Sequence, residues 1–161
     1  MRIGQGVDAH RLEPGRSLRL GGIEVPHDRG LAGHSDGDVL LHAVTSALLG
    51  ALGEGDLGRH FPSSDPALEG VASSKLLAQV VERVRGAGWA VGNVDATIVA
   101  QAPRLAAYLT EMEVVIADLL GVAVGAVNVK VTSTDGLGTI GRGEGIAALA
   151  VALLVRAGEG A

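Results

Sequence analysis

The chain has 161 residues, 47% of them hydrophobic, enough for one domain (1–161) whose core must be aliphatic, because Phe61, Trp89 and Tyr108 are its only aromatics. Thirteen basic residues against eighteen acidic ones leave a net charge of −5, which argues against a nucleic-acid surface, since that needs a basic stripe. With no cysteine there is no disulfide or thiolate chemistry, the apolar runs are too short and interrupted to span a membrane, and the N-terminus lacks an export pattern, so a cytoplasmic protein is expected.

Arg2, Ile3, Val7 and Leu12 mark an opening extended segment. Residues two apart on a strand share a face, so Asp8 and His10 point the same way. Glu13, Pro14 and Gly15 read as a turn, and residues 17–20 and 23–25 as a short hairpin about Gly21 and Gly22. Residues 26–31 form a loop that delivers the densest polar stretch, 32–42, with His34, Asp36, Asp38 and His42. Ser35 or Asp36 can cap a helix there, since a short side-chain oxygen accepts the orphan N–H groups of a first turn. Val39, Leu40, Ala43, Val44, Ala47 and Leu48 then recur at helical spacing, which predicts a helix over about 38–52 that stops at Gly53.

Residues 55–65 read as irregular. A second helix starts near Ser73, with Leu76, Leu77, Val80, Val81 and Val84 on one side, and ends at Gly86 and Gly88. Residues 89–100 alternate as a strand that keeps Val94, Ala96, Ile98 and Ala100 on one face. Pro103 suits the first turn of a third helix, which extends to about Leu120 and closes at Gly121. A strand follows over 127–134. Residues 146–155 are long enough for a helix, but Gly141, Gly143 and Gly145 break the approach, and a strand is the better reading.

This order predicts an α+β fold: a mixed sheet with helices on one face, a ferredoxin-like two-layer sandwich. The last strand is apolar on both faces and only one can pack on helices, so another subunit should cover the other, making an oligomer.

Taken singly, His42 reads better as a satisfied core histidine, and Asp8 with His10 as part of a surface strand. Taken together, one carboxylate and two imidazoles form a three-ligand set with a fourth position open, the arrangement of a catalytic zinc site. A helix N-terminus beside it suits an anion such as phosphate.

The run from Ile3 to His10, the run from Gly33 to Asp38, Asp56-Leu-Gly58, Phe61-Pro62, Asp65-Pro66, Gly92-Asn-Val-Asp95, Ala100-Gln-Ala-Pro103 and the run from Gly141 to Ile146 carry a resemblance that extends nearly end to end. The chain resembles the 2-C-methyl-D-erythritol 2,4-cyclodiphosphate synthases, trimeric enzymes of the non-mevalonate isoprenoid pathway. The resemblance implies a strand at 146–155, a homotrimer with sheets facing inward, and active sites between neighbouring subunits. It implies a phosphorus–oxygen lyase acting on a nucleotide-diphosphate substrate, 4-diphosphocytidyl-2-C-methyl-D-erythritol 2-phosphate. An oxygen of the 2-phosphate attacks the β-phosphorus, CMP leaves and the cyclic diphosphate closes.

By the same resemblance, Asp8, His10 and His42 hold zinc or another divalent transition metal, and Asp135 serves a second cation, Mg2+ or Mn2+, where the family has Glu. His34 and Ser133 match catalytic positions, Ser133 standing where Thr is usual. Asp8, Ala9, His10, His34, Ser35, Asp56, Leu57, Gly58, Phe61, Pro62, Ser63, Ser64 and Asp65 match the substrate-binding positions. Ala100, Gln101, Ala102, Pro103, Arg104, Leu105, Ala106, Thr132, Ser133, Thr134, Asp135, Thr139 and Arg142 match the cytidine side. Thr139 replaces a usual Phe, and Ser46 a common Asp one turn beyond His42. Two rival readings stay open on the residues alone: a zinc-dependent phosphohydrolase that activates water, and a non-catalytic trimeric protein that binds nucleotides or isoprenoids.

Overall fold

The computed structural model describes residues 1–158. In chain order the elements are β1 (Arg2–Pro14), β2 (Leu18–Leu20), β3 (Ile23–Val25), β4 (Arg29–Leu31), α1 (Val39–Leu52), α2 (Leu57–His60), α3 (Ser73–Gly86), β5 (Trp89–Val99), α4 (Leu109–Leu120), β6 (Val127–Thr132), α5 (Gly138–Gly141) and β7 (Gly145–Arg156). The main sheet has the order β4-β1-β7-β5-β6; β5 and β6 pair parallel, and the other neighbours are antiparallel. The hairpin β2–β3 stands apart as a two-stranded sheet.

The mixed sheet and the order of the long elements agree with the sequence reading. β1 and β5 run parallel with β7 between them, as in a split βαβ unit, but β5 and β6 are direct parallel neighbours, so the second half departs from the ferredoxin-like strand order. The segment 146–155 is a strand, because it fills the centre of the sheet and both its edges are hydrogen-bonded.

One sheet face is closed by helices. Along β1 the even positions face inward, and Gly4 and Gly6 let α1 lie directly on the strand: a Cβ at Gly6 would meet the Ala43 carbonyl oxygen at 2.0 Å, and one at Gly4 the Ala47 carbonyl oxygen at 1.9 Å. Ile146, Ala148, Ala150, Ala152 and Leu154 of β7 are buried against the same helix layer. The opposite face leaves Ile3, Val7, Leu149 and Val151 exposed, the last at 43%.

Several local expectations are corrected. The cap of α1 is Asp38, not Ser35 or Asp36; its carboxylate accepts the Leu41 N–H, and it is fully buried because it also accepts the N–H groups of Gly21 and Gly22. Burial pushes the Asp38 carboxyl above the usual carboxylate range, against the pull of those three donors. Pro103 lies in a turn after a cis Ala102–Pro103 bond, and α4 begins only at Leu109, after a 3-10 turn at Ala106–Tyr108. Proline suits a loop as well as a helix's first turn, and the buried Leu105 anchors this segment as a loop. Within the loops expected at 26–31 and 55–65 the structure places β4 and the single turn α2, both too short for a periodic signal. β6 ends at Thr132, two residues early. No helix among the described residues is long and apolar enough to cross a membrane.

Candidate metal centre and substrate cavity

The inward face of β1 that begins with Gly4 and Gly6 continues into Asp8 and His10. The first turns of α1, lying on that face, bring His42 to them. Asp8 Oδ2 is 2.8 Å from His10 Nε2 and 2.8 Å from His42 Nδ1, and the two ring nitrogens are 3.3 Å apart. Among the described residues this is the one group of three or more such side chains whose ligand atoms all lie within 4.8 Å of one another. Burial raises the Asp8 carboxyl, but hydrogen bonds from His10 and His42, and their charge, outweigh it and hold it well below the usual carboxylate range. The hydrogen bond to Asp8 in turn raises His10, against the effect of burial.

An ionised carboxylate oxygen and two imidazole nitrogens, converging from two rigid elements, are the donor chemistry of a divalent transition metal with one position left for substrate. The three side chains line a cavity of about 320 Å³. Asp8, His10, His34, Ser35, His42 and Ser46 supply its polar wall; Val7, Leu57, Phe61, Leu68, Val71 and Leu76 supply an apolar one, with Asp56, Gly58 and Ser63 at the rim. The apolar wall has no counterpart in the sequence reading beyond Leu57 and Phe61. Val71 and Leu68 come from a connecting loop, Val7 from β1 beside Asp8, and Leu76 from a helix read only as core.

Backbone contacts bring the polar loop to this cavity. His34 Nε2 donates to the Asp65 carbonyl at 2.9 Å, and the His34 carbonyl accepts the Gly70 N–H at 2.7 Å, which ties the loop carrying His34 to the loop carrying Asp65. From the β1–β2 connection, Arg16 donates Nη1 to the Gly33 carbonyl at 3.0 Å and Nη2 to the Ser35 carbonyl at 2.9 Å, gripping both sides of His34. Pro62 and Ser64 are exposed outside the cavity, and Ala9 lies on the exposed face of β1.

The remaining site candidates assemble elsewhere, at the ends of β5 and β6. Ala100 N–H donates to the Thr132 carbonyl at 2.9 Å, and Gly136 N–H to Gln101 Oε1 at 3.4 Å, which joins the loop 100–106 to the turn 132–136. Ser133, Asp135, Thr139, Arg104 and Arg142 are exposed there, Asp135 has a left-handed backbone (φ 54°), and Arg142 pairs with Glu144. None of these residues lines the cavity beside His42.

The model of the YgbB family matches residues 1–155. A 2-C-methyl-D-erythritol 2,4-cyclodiphosphate synthase of Alkalilimnicola ehrlichii is 60% identical over 159 residues, covering 98% of this chain and 97% of its own. The bifunctional IspDF of Campylobacter jejuni superposes with a TM-score of 0.93 at 39% identity; the match covers 96% of this chain and 42% of that longer one. A Plasmodium falciparum IspF in complex with CDP gives a TM-score of 0.85 at 30% identity over 96% of both chains.

Proposed function

The chain belongs to the YgbB family, and from that membership we propose that Asp8, His10 and His42 hold the divalent metal of a ring-closing phosphoryl transfer. The reaction is that of its relatives: 4-diphosphocytidyl-2-C-methyl-D-erythritol 2-phosphate is converted to 2-C-methyl-D-erythritol 2,4-cyclodiphosphate, and CMP is released. The observation that carries the site assignment is the convergence of the three ligand atoms on the wall of a cavity that also presents His34 and Ser35.

The attacking group is a phosphate oxygen that is already anionic, so no strong base is required. The obstacles are repulsion between phosphates and the geometry of closure, which makes catalysis a matter of positioning and charge. Asp8, His10 and His42 would hold the metal, which when bound would supply Lewis-acid charge to a phosphate oxygen. Asp8 stays ionised near neutral pH and so remains a ligand. His34 and Ser35, held by Arg16, approach the phosphates from the loop side. The apolar wall of Leu57, Phe61 and Leu76 excludes water and accommodates the methylated carbon skeleton.

The cytidine end binds at the loop 100–106 and the turn 132–136, with Arg104 and Arg142 near its phosphates. Ser133 acts beside His34 in the transition state, and Asp135 would serve a second cation, Mg2+ or Mn2+, whose charge would offset that of the leaving group. Supporting that reading, a CDP complex is known for the Plasmodium falciparum relative. Two clusters at separate places in one chain are reconciled by a homotrimer in which one subunit's cavity faces the next subunit's nucleotide loop. The exposed Ile3, Val7, Leu149 and Val151 supply an apolar face for that assembly.

Phosphorus NMR of a complete reaction tests the assignment. One CMP and one cyclic diphosphate per substrate are expected; inorganic phosphate or a linear product would instead make the site that of a phosphohydrolase.

A further inference from the structure

We propose that Ser73, with Asp36 behind it, is a positioning residue that fixes the proton of His42 on Nε2 and so frees Nδ1 for a metal. The proposal rests on reading Asp8, His10 and His42 as ligands.

Ser73 opens α3 and is fully buried. Its hydroxyl has one hydrogen to give. Asp36 Oδ1 lies 2.5 Å away and, as a carboxylate oxygen, can only accept, so the hydrogen goes there. Asp36 cannot turn aside, because its carboxylate also receives the N–H groups of Ser73 at 3.1 Å and of Asp38 at 3.2 Å. The other contact of the Ser73 oxygen is His42 Nε2, 2.8 Å away. With its hydrogen committed, Ser73 can only accept there, so the proton must sit on Nε2. Ser35 Oγ, 3.1 Å from the same nitrogen, accepts the Gly37 N–H and keeps its own hydrogen free, so it can accept from or donate to Nε2 and does not itself fix the proton.

A neutral imidazole protonated on Nε2 carries its lone pair on Nδ1. Nδ1 is the atom that faces Asp8 Oδ2 and His10 Nε2. The neutral tautomer protonated only on Nδ1 keeps that proton on Asp8 and blocks ligation; with Nε2 protonated, any proton that Nδ1 shares with Asp8 in the metal-free chain is the one a metal displaces. The Ser73 oxygen decides between the two, and it does so from a helix 31 residues downstream of His42.

Two measurements on the full chain test this. Zinc affinity is read by competition with a chromogenic chelator, and the His42 proton by 15N chemical shifts of the metal-free protein. Wild type should show Nε2 protonated. S73A should bind zinc about 10- to 100-fold more weakly and show Nε2 bare and Nδ1 protonated. D36A, which leaves Ser73 in place but removes the acceptor that commits its hydrogen and lets the hydroxyl turn toward Nε2, should move both readouts the same way and serves if S73A does not fold. A purely structural Ser73 would change the melting temperature without moving the proton. Bare Nε2 in the metal-free wild type, or a folded S73A that binds zinc within about twofold of wild type, overturns the proposal. A wild-type chain that takes up no zinc at all overturns the ligand reading and this proposal with it.

Discussion

Nδ1 of His42 lies 2.8 Å from Oδ2 of Asp8, although 34 positions separate the two residues in the chain. The contact exists because α1 rests on β1 with no side chain between them. At Gly6, two residues before Asp8 on the same face, any Cβ would collide with the Ala43 carbonyl, next to His42.

Gly6→Ala should therefore act on both fold and site. Overpacking a tight contact costs about 1–3 kcal/mol, more where backbone is struck, and here α1 must lift away from β1. We expect a lower urea midpoint and weaker zinc binding together. A variant with unchanged stability and affinity would mean that the two elements do not meet as described.

Arg16 grips the carbonyls on either side of His34 but touches no metal ligand directly. Arg16→Gln should lower kcat about tenfold, since each lost charged hydrogen bond contributes roughly 1.5–3 kcal/mol before solvent takes its place. Zinc affinity should stay within about twofold, because His42 is held by α1 rather than by this loop. Steady-state kinetics and a chelator titration on one preparation separate the two effects.

The metal-free chain should have a stability window set by Asp8 and His10. Asp8 is depressed below its ordinary value of 3.8, so its contribution is present above that value and is lost as pH falls toward the folded one. His10 is raised above 6.5, so its contribution is complete below 6.5 and is lost as pH rises through the folded value. Melting temperature should thus be highest between these limits. Asp8→Asn should flatten the alkaline decline, since it removes the partner that raises His10.

The open sheet face gives a further test. Val151 is 43% exposed at the centre of β7. Val151→Asp should leave the chain folded, because the residue lies on the sheet face away from the helices, yet shift sedimentation from the proposed trimer toward monomer and remove most activity. A fully active monomer would contradict sites built from two subunits.

Much of this was legible in the sequence, and the limits have physical causes. The period of two in β1 put Asp8 and His10 on one face, and the 3.6-residue period of α1 put His42 on its apolar side. Glycines marked the ends of α1 and α4 correctly. The cap of α1 was not decidable locally, since Ser35, Asp36 and Asp38 all offer a suitable oxygen; only the hairpin turn at Gly21 and Gly22, brought in by tertiary packing, selects Asp38. Ser73 was visible as a helix start, but its contact with His42 depends on how α3 crosses α1. Arg16 carried no periodic or motif signal, and its role appears only when the β1–β2 connection folds against the His34 loop.

The central claim is that Asp8, His10 and His42 share one divalent ion that the reaction requires. The most direct measurement follows CMP release by a chain stripped of metal and then titrated with zinc in the presence of magnesium. Turnover is expected to vanish on stripping, to return to its full value at one zinc per chain, and to fail to return in His42→Ala. Turnover that survives complete removal of metal, or a His42→Ala chain that releases CMP at the wild-type rate, would contradict the claim.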